Sequence, residues 1–138
     1  MTERRLSRDE VAAVRHGVKA AFRELGKSGF IVRTNFSCCT TCAVAELSEI
    51  SEKRRRNRAV YWHRQDEEHF RKGHALHIRF CYLPGNIQGD TAAAETRVGE
   101  QVAVALRNQR LQIEWDGNPG KTIQVIGVLE PPNQERTE

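Results

Sequence analysis

Three cysteines fall within five residues, Cys38-Cys39-Thr40-Thr41-Cys42, the densest group of chemically versatile side chains in the chain. A deprotonated sulfur is both a nucleophile and a soft metal ligand, so this spacing supports two chemistries. In the first, Cys39 and Cys42 form a Cys-x-x-Cys pair at a helix start, where unpaired backbone N–H groups and the helix dipole lower a thiol's pKa and favour a redox couple. The residues between them are threonines, without the proline or glycine of the familiar redox loops. In the second, Cys38, Cys39 and Cys42 supply thiolates and His63 a neutral nitrogen, giving a Cys3His zinc tetrahedron. Neighbouring side chains diverge, so two of the cysteines with His63 and either His74 or His77 make an equally good ligand set. A third reading needs no chemistry, because cysteine is also a small buried apolar residue that packs tight corners.

Downstream, His63-Arg64-Gln65-Asp66 invites an acid–base reading in which Asp66 orients a histidine that titrates near neutrality. Asp66 also stands where a helix N-cap is wanted, a purely structural task. Between these two segments runs Lys53-Arg54-Arg55-Arg56-Asn57-Arg58. Such a run would hold nucleic-acid phosphates, but it lacks aromatic interleaving and a recognition helix, and a solvated charged loop is the simpler expectation. The chain has no glycine-rich phosphate loop and no His-Glu-x-x-His motif, so the usual nucleotide and metalloprotease signatures are missing.

The elements that must position these residues are legible in the patterning. Ser7-Arg8-Asp9-Glu10 has the form of a capping box, and Val11, Val14, Val18, Phe22 and Leu25 follow at helical spacing up to Gly26, the expected stop. Phe30 to Phe36 is β-branched and aromatic, a strand that runs directly into the cysteines. Ala43, Val44, Leu47 and Ile50 predict a second helix from about Thr40. A short strand, Ala59 to His63, precedes one or two helical turns over Gln65 to Gly73, where acids come first and bases last. Leu76, Ile78, Phe80 and Tyr82 alternate with His77, Arg79 and Cys81 as in a half-buried strand. Pro84-Gly85-Asn86 breaks it, a polar loop reaches about Ala94, and Val98, Val102, Ala105 and Leu106 mark another long helix. Leu111 to Trp115 and Thr122 to Leu129 form a C-terminal antiparallel hairpin, with Trp115 in the core and the turn at Asp116-Gly117.

The order α-β-α-β-(short α)-β-α-β-β predicts an α+β or α/β domain with a mixed five-strand sheet. A right-handed crossover makes the first two strands parallel. Both then end at one edge of the sheet, bringing the cysteine segment to His63, Gln65 and Asp66, outside the carboxyl ends of strands where sites commonly lie.

Asn35-Phe36-Ser37-Cys38-Cys39-Thr40-Thr41-Cys42, Tyr61-Trp62-His63-Arg64-Gln65-Asp66 and Glu114-Trp115-Asp116-Gly117 together resemble the signature of an uncharacterised family of bacterial proteins. The resemblance extends from Phe30 to Val125. It implies a single domain and no particular activity, substrate or cofactor.

Composition sets the outer limits. At 138 residues, 38% hydrophobic and 29% charged, the chain suits one domain over residues 1–130, with 131–138 a disordered tail by composition. No apolar run approaches a membrane span and the charged N-terminus lacks a signal-peptide core, so a cytoplasmic location is expected. In that reducing compartment cysteines are more often thiols or metal ligands than disulfides. The net charge of +4 adds only weak attraction to polyanions.

Overall fold

The computed structural model describes residues 5–36, 40–54, 56–83 and 92–129, with backbone alone at 40–42, 44 and 54. Its architecture is α+β. Helix α1 (Arg8–Lys27) leads to strand β1 (Ile31–Arg33), helix α2 (Thr40–Arg54), strand β2 (Arg58–Tyr61) and the short helix α3 (Arg64–Arg71). Strand β3 (Leu76–Tyr82), helix α4 (Ala92–Asn108) and strands β4 (Leu111–Glu114) and β5 (Ile123–Val128) complete it. The tail at 131–138 and the Pro84-Gly85-Asn86 break lie outside the described residues.

The five strands form one sheet in the order β1-β2-β3-β5-β4. β1 and β2 are parallel, with Ile31 opposite Ala59 and Arg33 opposite Tyr61. The β2–β3, β3–β5 and β4–β5 pairs are antiparallel. Side chains alternate across a sheet, so it presents two faces. On one, Val60, Trp62, Leu76, Ile78, Ile123 and Val125 meet the apolar stripes of α1 and α4 in the main core. On the other, Ile31, Ala59 and Tyr61 are covered by Ala43 and Leu47 of α2.

Several local expectations are displaced by a few residues. The capping box at Ser7 and Glu10 is present, but α1 continues through Gly26 to Lys27, with Ser28 as its C-cap. The glycine that turns the chain is Gly29, at φ +103°, a conformation costly to any residue with a Cβ. β1 is shorter than the apolar run because Asn35 adopts φ 48°, which bends the chain out of extended geometry. The turn between β4 and β5 is a loop over residues 115–122, not a two-residue Asp116-Gly117 turn. Asp116 Oδ1 accepts the Asn118 N–H, Asn118 Oδ1 accepts the Gly120 N–H, and these side chains replace turn backbone bonds. Trp115 is only partly buried; it donates from Nε1 to the Asn118 carbonyl and packs edge-on against Phe80.

Those two rings fix a close approach of α4. A Cβ built on Gly99 would lie 2.7 Å from both Phe80 Cζ and Trp115 Cη2. Gly99→Ala is therefore expected to lower stability by about 1 to 3 kcal/mol through overpacking. A denaturation midpoint unchanged from the parent would show that the rings move aside freely.

Candidate functional site

The parallel pairing carries past the regular strands. Beyond Arg33 opposite Tyr61, the Phe36 N–H donates to the Trp62 carbonyl at 2.8 Å. The chain thus approaches the cysteine segment alongside the residue that precedes His63. Cys38 and Cys39 lie outside the described residues; Cys42 belongs to the first turn of α2, which begins at Thr40 as the pattern predicts. The remaining cysteine, Cys81, is held half-buried beside the α2 core, and burial, with a smaller push from Glu95, raises its thiol pKa to about 12. It is a packing cysteine, inert at neutral pH.

His63 is buried, only 3% exposed, and it, not Asp66, is the N-cap of α3. The aspartate occupies the third helical position of a capping box. Asp66 N–H reaches His63 Nδ1 at 3.4 Å, and Asp66 Oδ2 accepts the His63 backbone N–H at 3.1 Å. The helix starts one residue earlier than the charge pattern suggests, because an imidazole nitrogen can serve as the capping acceptor that serine or aspartate usually provides.

Asp66 Oδ2 lies 3.3 Å from the same Nδ1, and the tautomer of His63 decides whether that nitrogen accepts the Asp66 N–H or donates to the carboxylate. Arg79 on β3 grips the same carboxylate from the far side, Nε to Oδ2 at 2.7 Å and Nη2 to Oδ1 at 2.9 Å. This bidentate geometry fixes the carboxylate plane. Burial pulls the His63 pKa below its ordinary value; the Asp66 carboxylate offsets this only in part, and the Arg79 and His77 charges add to the lowering. The imidazole is neutral at pH 7, the form that ligates a metal or accepts a proton. Among the described residues its Nε2 takes no hydrogen bond.

His77 lies two residues before Arg79 on β3, on the same sheet face, with Nδ1 2.7 Å from Thr122 Oγ1. It lies near enough for its charge to act on the His63 imidazole. The His74 ring packs edge-on against His69 at the other end of α3. Gln65 is exposed.

Behind the site sits a second buried acid that residue patterning did not single out. Glu67, 2% exposed, accepts from Trp62 Nε1 at 2.9 Å, from Arg15 Nη1 and Nη2 at 3.1 and 2.8 Å, and from Arg71 Nε at 2.7 Å. Its Arg71 contact is an i,i+4 pair readable along the helix. Arg15 and Arg79, far away in the chain, carried no such signal. The result ties α1, the end of β2 and α3 together, so the loop that presents His63 is clamped from both sides.

Two arginines of the basic run are structural, which corrects the solvated-loop expectation for Arg56 and Arg58 and removes two of the phosphate contacts. Arg56 Nη1 donates to the Phe30 carbonyl at 3.0 Å, and Arg58 donates to Ser28 O and to Gln101 Oε1 while stacking on the Phe30 ring at 4.6 Å. Both arginines satisfy carbonyls or hold the ring of the turn from α1 into β1. Lys53 is exposed, while Arg55 and the Arg54 side chain lie outside the described residues.

No helix of the described residues is long and apolar enough to cross a membrane. Among these residues no cluster of three or more histidine, cysteine, aspartate or glutamate side chains has metal-binding geometry. Residues 16–128 match a family described as a domain of unknown function. No curated protein and no solved structure matches the chain.

Proposed function

The chain belongs to that family, DUF6891, and from its own residues we propose that the domain binds a soft metal ion, zinc foremost, through Cys38, Cys39 and Cys42 and the Nε2 of His63. The role is structural or regulatory. The observation that carries the reading is the Phe36 to Trp62 hydrogen bond, which leads the chain toward the cysteines beside a buried, neutral imidazole. A ligating histidine commonly donates its other nitrogen to a carboxylate, and Asp66 Oδ2 stands 3.3 Å from Nδ1. His77 is the alternative nitrogen ligand. Cytoplasmic residence belongs to the same proposal, because reduced thiols are what a metal requires there.

One contact favours a second reading. The Asp66 N–H is also directed at Nδ1, and if Nδ1 accepts it, the neutral ring carries its proton on Nε2. That proton would stabilise a thiolate instead of leaving a lone pair for metal, and Cys39 and Cys42 would then exchange with a partner's disulfide as a redox pair. A binding or adaptor role without chemistry is the remaining alternative.

Elemental analysis of protein purified without chelator separates them. The metal reading expects about one ion per chain, released with new thiol reactivity on chelation and lost in Cys42→Ser. A metal-free protein that forms a reversible Cys39–Cys42 disulfide belongs to the redox reading. Metal-free protein whose thiols react only on unfolding would sink both.

A further inference from the structure

The exposed side of α1 carries His16, Lys19, Arg23 and Lys27, spaced three, four and four residues apart and hence on one helical face. Lys19 and Arg23 have no acidic partner among the described residues, and Lys27 has only the exposed Glu24, 3.8 Å away. Beside this row lies β1, the edge strand of the sheet, bonded to β2 on one side alone among the described strands. An open groove of about 580 Å³ separates the two, walled by Lys19, Arg23, Lys27, Val32 and Thr34 with Phe22 at its base. The Val32 carbonyl is covered by the guanidinium of the adjacent Arg33, Nη1 to O at 2.7 Å. Charged covers of this kind keep an open sheet edge from pairing indiscriminately.

We propose that this groove receives an extended acidic peptide segment, added in line with β1 as a further strand while its carboxylates face α1. Backbone pairing to a sheet edge supplies affinity and alternate side chains supply selectivity in such additions. The spacing fits. Bases four residues apart on a helix repeat every 6 Å or so, and alternate side chains of a strand every 6.7 Å or so, so three alternating acids lie opposite Lys19, Arg23 and Lys27. Val32 and Phe22 meet the apolar part of the strand's inward side chains. Arg33, on the opposite face of β1, gives up the Val32 carbonyl to the added strand and turns to solvent. The groove takes nothing from the cysteine site, and either reading holds without the other.

The test is fluorescence anisotropy with a labelled Glu-Val-Glu-Val-Glu-Val-Glu peptide at low salt, with amide NMR shifts as the second readout. Three comparisons accompany it: the lysine counterpart, the acidic peptide N-methylated at alternate residues, and an oligothymidylate. The acidic peptide should bind and shift the amides of residues 31–34. The Lys19→Gln, Arg23→Gln, Lys27→Gln triple variant should bind it about tenfold more weakly, as three exposed charge pairs are together worth that factor. Methylation in the pairing register should abolish binding, because it removes the ladder donors. All three substitutions lie on the surface, and an unchanged circular dichroism spectrum shows that the variant folds. The proposal is overturned by no binding, by equal binding of the lysine peptide, by affinity unchanged in the triple variant or after methylation, or by shifts away from β1. Tighter, competing binding of the oligothymidylate would overturn it too, reassigning the row to phosphates.

Discussion

Replacing Glu67 with alanine is expected to lower stability by about 3 to 5 kcal/mol at pH 7, the range for removing one member of a buried ion pair. The carboxylate is 2% exposed and receives four hydrogen bonds from three residues. Without it the Trp62 N–H is left buried and unpaired and the Arg15 guanidinium loses its counter-charge. The contribution of Arg71 is discounted, because that side chain is 64% exposed and solvent screens it. Urea midpoints of the parent, Glu67→Ala, Arg15→Ala and the double variant form a cycle whose coupling isolates the Arg15 pair. A loss below about 1 kcal/mol for Glu67→Ala, the scale of an ordinary exposed pair, would contradict the assignment.

The same acid sets part of the pH dependence. Burial raises the Glu67 pKa, but the hydrogen bonds from Arg15, Trp62 and Arg71 and the charge of Arg15 outweigh it, so the folded value lies below the ordinary 4.5. Its stabilisation is fully present above that unfolded value and is lost as pH falls through the lowered folded value. His63 acts earlier in an acid titration. Its folded value lies below 6.5, so the unfolded chain takes up a proton first and stability declines as pH falls from 6.5 toward the folded value. Loss on acidification should therefore proceed in two stages, with Glu67→Gln removing the lower and His63→Gln the upper.

Asp66→Asn should have the largest effect on the site itself. The amide keeps the shape of the side chain but weakens the bidentate grip of Arg79 and the orientation of His63. Loss of such an orienting carboxylate commonly weakens metal affinity by about 10- to 100-fold, and zinc competition against a chromophoric chelator would measure it. Stability should fall by about 1.5 to 3 kcal/mol, the worth of hydrogen bonds to a charged group. Equal metal affinity in Asp66→Asn and the parent would remove His63 from the ligand set. An increase would point to the tautomer in which Nδ1 accepts the Asp66 N–H.

How much of this was legible beforehand depended on how far each interaction reaches along the chain. The capping box at Ser7, the stripe from Val14 to Leu25 and the alternation of Leu76, Ile78 and Phe80 are periodic signals, and each gave its element. Parallel pairing of β1 and β2 followed from the length of the connection between them, and with it the pairing of Phe36 with Trp62, the residue before His63. The sequence alone therefore determined the order of elements and a mixed five-strand sheet, and it left α+β and α/β both open until the antiparallel pairs decided for α+β.

Only the tertiary structure decided what those residues are bound to. Asp66 was legible as a capping residue, yet its place in the cap and its partner Arg79 depend on β3 folding back beside β2. Glu67 was one more acid in a charged helix until α1 brought Arg15 against it. Arg56 and Arg58 read as solvated because their acceptors are backbone carbonyls, which every residue carries and no composition reveals. Periodicity reports which face of an element is buried, since that depends on spacing within the element. The partner of a buried charge is set by which elements meet, and that choice is made by the packed core as a whole.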